Sequence, residues 1–213
     1  MTNPDSFLVF DPHLTALLVV DPYNDFLSEG GKLWPMAKEV AEGVNLLPNM
    51  RAVLSAARDV GIKVFYLPHH RYRPGDYDGW ARMTPLQVMS ARSRVFEDGS
   101  WGGAFHPDFQ PREGEVVALE HWCSSGFANT DLDFQLKTFN RQQLVVIGMR
   151  ANTCIESTVR YAAELGYEVT IVKDAVASYT WDQMKSALED NLPNYARAIV
   201  STAELIEHLS APR

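Results

Sequence analysis

Residues 143–172 read QLVVIGMRANTCIESTVRYAAELGYEVTIV, and this stretch carries the pattern that predicts the fold. It begins with a short apolar run at 143–148, continues through a helical segment at 153–165 that ends at Gly166, and finishes with an apolar run at 167–172. Short apolar runs bounded by turns are typical of strands that are buried on both faces of a sheet. The order strand, helix, strand therefore predicts two parallel strands joined by a covering helix.

The same alternation extends outward over the rest of the chain. Further strands are predicted at 14–20, 62–67, 115–120 and 197–201, and further helices at 37–60, at 130–139, at 181–191 and from Ala203 onward. This pattern predicts an α/β fold of three layers (α/β/α, Rossmann-like) with a mostly parallel central sheet of about six strands. Residues 69–113 are rich in Gly, Pro, aromatic and charged residues, which favours a long functional loop. We expect residues 1–213 to form a single domain.

Composition narrows the class of protein. The chain has 213 residues, 46% of them hydrophobic, and a formal net charge of -8, which disfavours nucleic acid as a partner. No apolar run approaches the roughly 20 residues that span a bilayer, and the first residues do not resemble a signal peptide. The two cysteines, Cys123 and Cys154, indicate free thiols in a reducing compartment. We therefore expect a cytoplasmic protein without nucleic-acid or membrane partners.

Sites in parallel sheets form beyond the carboxyl ends of the strands. Cys154 begins a predicted helix there, where backbone N–H groups lower the pKa of a thiol and bind an oxyanion. Asp21 and His121 also follow predicted strands and are candidates for proton transfer. From position alone, Cys154 is as reasonably a buried structural cysteine, and a loop-anchoring aspartate and a packed or surface histidine are the simpler interpretations of Asp21 and His121.

Three segments considered together point to a known family. They are DPYNDF at 21–26, SSGFANTDL at 124–132 and GMRANTCIEST at 148–158. In order and spacing they resemble the isochorismatase-like cysteine hydrolase superfamily, which includes nicotinamidases, N-carbamoylsarcosine-type amidohydrolases and ureidoacrylate amidohydrolases. The resemblance extends from Leu14 to Ser178 and implies the fold and the position of the site rather than the substrate.

The resemblance also implies roles for single residues. The family uses an Asp-Lys-Cys triad, whose aspartate matches Asp21 and whose cysteine matches Cys154. A cis peptide bond is implied between Met149 and Arg150, with the backbone N–H groups of Arg150 and Cys154 as oxyanion donors. The family needs no cofactor for this chemistry, and its members often form homo-oligomers, so we expect no cofactor and a homo-oligomer here.

The chain departs from the family at the triad lysine. No lysine occurs between Lys63 and Lys137, and His121 occupies the matching position, with Glu120 beside it. His121 is the preferred replacement because an imidazole beside a carboxylate and a thiol stabilises charge or moves protons. Two alternatives stay open at this stage. In the first, Glu120 faces the site in place of His121, because adjacent strand residues face opposite ways. In the second, the site has lost hydrolytic power.

Aromatic and cationic residues near the motifs are candidates for binding the substrate. Tyr23, Phe26 and Phe127 lie within the matching motifs and are expected to line the pocket. His70 and Arg71 are expected to contact the substrate, with Arg71 or Arg73 pairing with a substrate carboxylate; a solvated charge on the loop is the alternative for these arginines. Trp122 follows His121, as a tryptophan follows the lysine of isochorismatases. We expect no metal, because the adjacent His69 and His70 cannot readily share one ion, and Asp76 and Asp78 bring no further histidine.

The sequence thus predicts a hydrolase that cleaves a C–N bond in a small non-peptide amide, carbamoyl or ureido compound through a thioester on Cys154. The catalytic residues are expected to be Asp21, His121 and Cys154. One alternative is isochorismatase-type hydrolysis of a vinyl ether, which needs the aspartate but no nucleophilic cysteine. The other is a non-catalytic binding protein on a degenerate hydrolase fold.

Overall fold

A computed structural model describes residues 8–210, with a six-stranded sheet at its centre. The strands are β1 (Thr15–Val20), β2 (Lys63–Leu67), β3 (Val116–Val117), β4 (Gln143–Met149), β5 (Glu168–Ala177) and β6 (Ala198–Val200). Their order is β3-β2-β1-β4-β5-β6, and every neighbouring pair is parallel. The prediction of a mostly parallel sheet of about six strands is confirmed.

Helices cover this sheet. They are α1 (Asn24–Leu27), α2 (Trp34–Gly43), α3 (Leu46–Asp59), α4 (Pro85–Ser93), α5 (Leu132–Thr138), α6 (Glu156–Glu164), α7 (Trp181–Lys185) and α8 (Thr202–Ser210). Every residue of β1 is buried, as expected for a strand covered on both faces. Within residues 8–210, no helix is both long enough and apolar enough to cross a membrane.

The structure corrects two predicted boundaries. The helix predicted at 37–60 is divided into α2 and α3 by Asn45, which has a left-handed backbone with φ of 54°. Asparagine tolerates this conformation better than most residues, so it ends one helix and begins the next. The strand predicted at 115–120 is reduced to β3, because after Val117 a single further parallel bridge joins His121 to His69.

The predicted long loop at 69–113 contains a helix of its own, α4. Thr84 caps its first turn: the backbone N–H of Gln87 donates to the Thr84 hydroxyl, and the Gln87 side chain accepts from the Thr84 backbone N–H. Pro85 then fills the first helical position, where a missing N–H has no cost. The sequence contains this T-P-x-Q signature, but the composition of the residues around it favours a loop.

The ends of β1 and β4 are in close contact. Gly148 has φ of 119°, and a Cβ atom added there would lie 2.2 Å from the carbonyl oxygen of Val20. Only glycine allows this approach. The turn that follows Met149 is therefore held beside Asp21, the residue that follows β1.

Candidate active site

Asp21, His121 and Cys154 lie together at the carboxyl edge of the sheet. Asp21 follows β1, His121 follows the short edge strand β3, and Cys154 lies in the π-helical turn Ala151–Ile155 between β4 and α6. One ligand atom from each side chain lies within 4.8 Å of the other two, and all three residues are buried. The structure thus brings together the residues that the sequence analysis expected to be catalytic.

A hydrogen bond joins Asp21 to His121. His121 Nε2 donates to Asp21 Oδ1 at 3.1 Å, while Asp21 Oδ2 has no hydrogen-bond partner among the described residues. Asp21 has φ of 51°, which places a non-glycine residue in the left-handed region at the end of β1. The His121 backbone is held on both sides, because its N–H donates to the Pro68 carbonyl at 2.9 Å and its carbonyl accepts from the His70 N–H at 2.8 Å. The carboxylate therefore keeps one oxygen available to the thiol.

The Cys154 thiol differs from the sequence-based expectation. Burial, together with the negative charge of the nearby Asp21, raises the pKa of Cys154 well above its ordinary value. The positive charge of Arg150 and a hydrogen bond from Thr153 oppose this rise without reversing it. The expectation of a lowered pKa at the start of a helix is therefore wrong. The resting thiol is therefore neutral.

Glu120 points away from this cluster. Its carboxylate accepts from Arg71 Nε at 2.6 Å and lies 3.1 Å from His70 Nδ1. Burial alone would raise the pKa of Glu120, but the hydrogen bonds from His70 and Arg71 lower it to about 2. The structure therefore resolves the ambiguity in the sequence: His121, and not Glu120, takes the place next to Asp21.

A small cavity of about 20 Å³ lies above the cluster. Its wall is formed by Asp21, Phe26, Leu33, His69, Leu86, Met89, Ser90, Val95, Phe96, Arg150, Thr153, Cys154 and Tyr179. This volume holds about one water molecule. Phe26 lines the cavity, as expected, and α4 closes it from above through Leu86, Met89 and Ser90. The site is therefore shut by the helix that the sequence analysis did not anticipate.

His69 is a further histidine in the cavity wall. Burial and the neighbouring His121 lower the pKa of His69 to about 4, so its imidazole is neutral near pH 7. Its Nδ1 donates to the carbonyl oxygen of His70 at 2.9 Å, which leaves Nε2 as an acceptor. His69 follows β2 after Pro68, so it lies at the carboxyl ends of the strands, where sites in parallel sheets form.

The turn before Cys154 presents backbone donors. The peptide bond that joins Met149 to Arg150 is cis, at the position that the resemblance implies. The N–H groups of Thr153 and Ile155 both donate to the Arg150 carbonyl at 3.1 Å. In the described part of the chain, the N–H groups of Arg150 and Cys154 donate to no acceptor outside this turn. Both groups therefore stay candidates for binding an oxyanion.

The same cluster could hold a metal ion. Asp21, His121 and Cys154 are the one set of His, Cys and carboxylate side chains within residues 8–210 whose ligand atoms come close enough. Carboxylate, imidazole and thiolate are ligands that zinc accepts. A metal there would occupy the atoms that proton transfer needs, so the ion and the catalytic chemistry exclude each other.

Comparison with known proteins places this site in a family. The model of the isochorismatase domain matches residues 15–204, which is most of the chain. The chain belongs to the isochorismatase family. This confirms the resemblance carried by the three motifs, and it extends that resemblance over all six strands of the sheet.

The chain is similar to curated proteins and to solved structures of this family. The ureidoacrylate amidohydrolase RutB of Serratia proteamaculans is 32% identical over 178 residues, which cover 79% of this chain and 71% of that protein. A cysteine hydrolase from Pseudomonas syringae pv. phaseolicola has the same fold, with a TM-score of 0.82, 24% identity and 98% of each chain covered. N-carbamoylsarcosine amidase from Thermoplasma acidophilum aligns with a TM-score of 0.65 and 26% identity over 88% of this chain and 96% of that one.

Four of the expected substrate-binding residues lie at a second cavity. Tyr23, His70, Arg71 and Trp122 line a space of about 710 Å³ beside β3 that shares no wall residue with the cavity of Cys154. The Tyr23 hydroxyl donates to the His69 carbonyl at 2.7 Å, and the His70 ring stacks on Trp122 at 3.5 Å. These contacts turn the side chains away from the thiol. The four side chains therefore line the second cavity, and their expected role in substrate binding stays a prediction.

Phe127 lies outside both cavities. It is buried, and its ring stacks on Tyr161 at 5.8 Å and packs against Tyr167 at 5.7 Å. The Phe127 ring therefore packs against the α6 residue Tyr161. That Phe127 contacts the substrate stays a prediction.

Proposed function

We propose that this protein hydrolyses a C–N bond in a small non-peptide amide, carbamoyl or ureido compound through a thioester on Cys154. The reaction class is the one that the sequence predicts, and the ureidoacrylate amidohydrolases among its relatives confirm that class. The observation that carries the proposed mechanism is the unpartnered Asp21 Oδ2 beside the buried, neutral Cys154 thiol. His121 holds the other oxygen of the same carboxylate.

The first step forms the thioester. Because the thiol is neutral, Asp21 takes its proton as the sulfur attacks the carbonyl carbon. The N–H groups of Arg150 and Cys154 stabilise the negative oxygen of the tetrahedral intermediate. Asp21 then gives its proton to the leaving nitrogen, the C–N bond breaks, and ammonia or an amine departs.

The second step releases the acid. A water molecule enters, Asp21 accepts one of its protons, and the resulting hydroxide attacks the thioester carbon. The C–S bond breaks, and the proton held by Asp21 returns to the sulfur of Cys154. His121 remains hydrogen-bonded to Oδ1 throughout and keeps Oδ2 aimed at the reacting atoms.

Substrate access requires α4 to move. A cavity of about 20 Å³ is smaller than any amide, and its cover is built from the half-buried Leu86 and Met89 and the buried Ser90. In α4 only Ser90 is buried, so few apolar contacts hold the helix down. We therefore assign α4 the role of a lid that opens for substrate and excludes water when closed.

Further expectations belong to the same proposal. We propose a homo-oligomer, supported by the exposed apolar side chains of Val117 and Leu119 at the sheet edge formed by β3. A cytoplasmic location is supported by the two unpaired cysteines, Cys123 and Cys154. That residues 1–213 form a single domain stays a prediction.

The test of the proposed function is the chemistry of Cys154. Ammonia release from a panel of amides, carbamoyl acids and ureido acids is measured for wild type, Cys154→Ser and the matched control Cys123→Ser. We expect turnover in wild type and in Cys123→Ser, loss of turnover in Cys154→Ser, and an acyl adduct on Cys154 by mass spectrometry of acid-quenched enzyme. Turnover of a vinyl ether that survives in Cys154→Ser would instead favour isochorismatase-type hydrolysis, and inactivity of wild type on every compound would favour a binding protein.

A further inference from the structure

One cationic side chain at the Cys154 cavity has no acidic partner. Arg150 lines this cavity beside Thr153 and Tyr179 and is half-buried. Its Nε donates to Thr153 Oγ1 at 3.3 Å, and its guanidinium carbon lies 3.8 Å from the centroid of the Tyr179 ring. Within residues 8–210, its guanidinium forms no ion pair, and its polar partners are the side chains of Thr153 and Tyr179.

The arginines of the 69–84 loop are not available in the same way. Arg71 Nε lies 2.6 Å from Glu120, and its terminal nitrogen lies 3.2 Å from Asp98. Arg73 Nε lies 2.8 Å from Asp98. Both arginines line the second cavity rather than the cavity of Cys154. The expectation that Arg71 pairs with a substrate carboxylate therefore conflicts with its existing ion pairs.

A half-buried guanidinium without a carboxylate is an unusual arrangement. Arginine presents five N–H donors in a fixed plane that matches the two oxygens of a carboxylate, and Thr153 uses one of them. Stacking on Tyr179 fixes that plane before any ligand arrives, which reduces the entropy lost on binding. The arrangement is that of a preorganised receptor for an anion.

We propose that Arg150 binds a carboxylate carried by the substrate, so that this chain acts on amides, carbamoyl compounds or ureido compounds that are also acids. The inference rests on the proposed function and narrows its substrate class. Asp21 repels a second negative charge, so the carboxylate is held at the Arg150 end of the cavity while the reacting carbonyl lies at Cys154. The bound anion and the thiol are then separated by one helical turn of the same backbone segment.

Binding without turnover tests the inference directly. In a Cys154→Ser background, isothermal titration calorimetry compares three acids, namely 3-ureidopropionate, N-carbamoylglycine and succinamate, with the neutral 1-(3-hydroxypropyl)urea. We expect at least one acid to bind about 10- to 100-fold more tightly than the neutral compound, as for a charge-assisted bidentate pair. Arg150→Gln should abolish this preference, and Arg150→Lys should keep part of it. Arg71→Gln and Arg73→Gln serve as matched controls and should leave the preference intact.

The opposite results overturn the inference. One such result is that acids and the neutral compound bind equally tightly, and another is that no acid binds at all. A third is that the preference for acids survives Arg150→Gln but disappears in Arg71→Gln. Steady-state kinetics add a second criterion: loss of Arg150 should raise KM for acids far more than for neutral amides. A fall in kcat alone, equal for both classes, would mean that Arg150 acts on the thiol and not on the substrate.

Failure of the inference is distinguishable from failure of the proposed function. If wild type releases no ammonia from any compound but acids still bind through Arg150, the anion site stands and the hydrolase proposal fails. If wild type hydrolyses acids and neutral amides equally well, the hydrolase proposal stands and the anion site fails.

Discussion

Replacing His121 with alanine is expected to remove most of the activity and part of the stability. His121 Nε2 donates to Asp21 Oδ1 at 3.1 Å, and the two side chains are 1% and 0% exposed. A hydrogen bond to a buried charged group contributes about 1.5–3 kcal/mol, and the carboxylate left behind has no other partner for either oxygen. We therefore expect the free energy of unfolding to fall by about 2–4 kcal/mol. Without His121 the carboxylate is no longer aimed at the thiol, so kcat/KM should fall by about 10²- to 10⁴-fold.

Two measurements separate these effects. Urea denaturation followed by fluorescence gives the change in unfolding free energy, and ammonia release below the unfolding midpoint gives kcat/KM. His121→Lys places an ammonium group where the family has its lysine, so it should retain more activity than His121→Ala. Glu120→Gln is the matched control, because Glu120 lies next to His121 in sequence but binds Arg71 and His70 away from the thiol. It should lower stability while changing kcat by less than threefold.

The activities of His121→Ala and Glu120→Gln decide whether His121 is the residue that acts on Asp21. If His121→Ala keeps kcat/KM within about threefold of wild type while Glu120→Gln loses it, the residue that acts on Asp21 is not the one assigned here. A His121→Ala variant that unfolds at room temperature is assessed instead through His121→Gln, whose amide can still donate to Asp21 and should restore the fold with reduced activity.

Three further predictions follow from the charges around the site. Asp21→Asn removes the negative charge that raises the pKa of Cys154, so iodoacetamide should alkylate Cys154 at lower pH than in wild type, with Cys123 unchanged by mass spectrometry; an unshifted pH profile would contradict the stated cause. The pKa of Glu120 falls from 4.5 to about 2 on folding, so its contribution to stability is present above pH 4.5 and is lost as the pH falls toward 2. The difference in unfolding free energy between wild type and Glu120→Gln should therefore shrink between pH 4.5 and pH 2. A difference that stays constant over this interval would argue against the ion pairs of Glu120. Zinc should inhibit the enzyme reversibly by binding Asp21, His121 and Cys154, and EDTA should restore activity. His121→Ala should weaken this inhibition. Inhibition that is unchanged in His121→Ala would place the metal elsewhere.

The sequence predicted the parts of the fold that depend on local pattern. Apolar runs ending at Asp21 and Met149 were readable because strands buried on both faces leave no polar alternation. The meeting of Asp21 with Cys154 followed from the rule that parallel strands end at one edge of the sheet. His121 was placed there by its spacing from a family motif, and the structure was needed to show that Glu120 faces the other way.

The remainder depended on contacts between distant segments. α4 covers the cavity through Leu86 and Met89, which lie in a segment whose composition predicts a loop. Tyr23 and Phe127 turn away from the thiol because of partners at His69 and Tyr161, which no local pattern reveals. The pKa of Cys154 likewise depends on burial and on the charge of Asp21, both of which outweigh its position at a helix start.

The closed cavity has a consequence for the lifetime of the enzyme under oxidative stress. Peroxides attack thiolates that solvent can reach, and each step beyond the sulfenic acid is hard to reverse. Cys154 is neutral at rest and covered by α4, whereas Cys123 is partly exposed. Oxidant should therefore consume Cys123 first and reach the nucleophile only during the brief openings that admit substrate. The cover formed by α4 thus also protects the sulfur of Cys154 from oxidant.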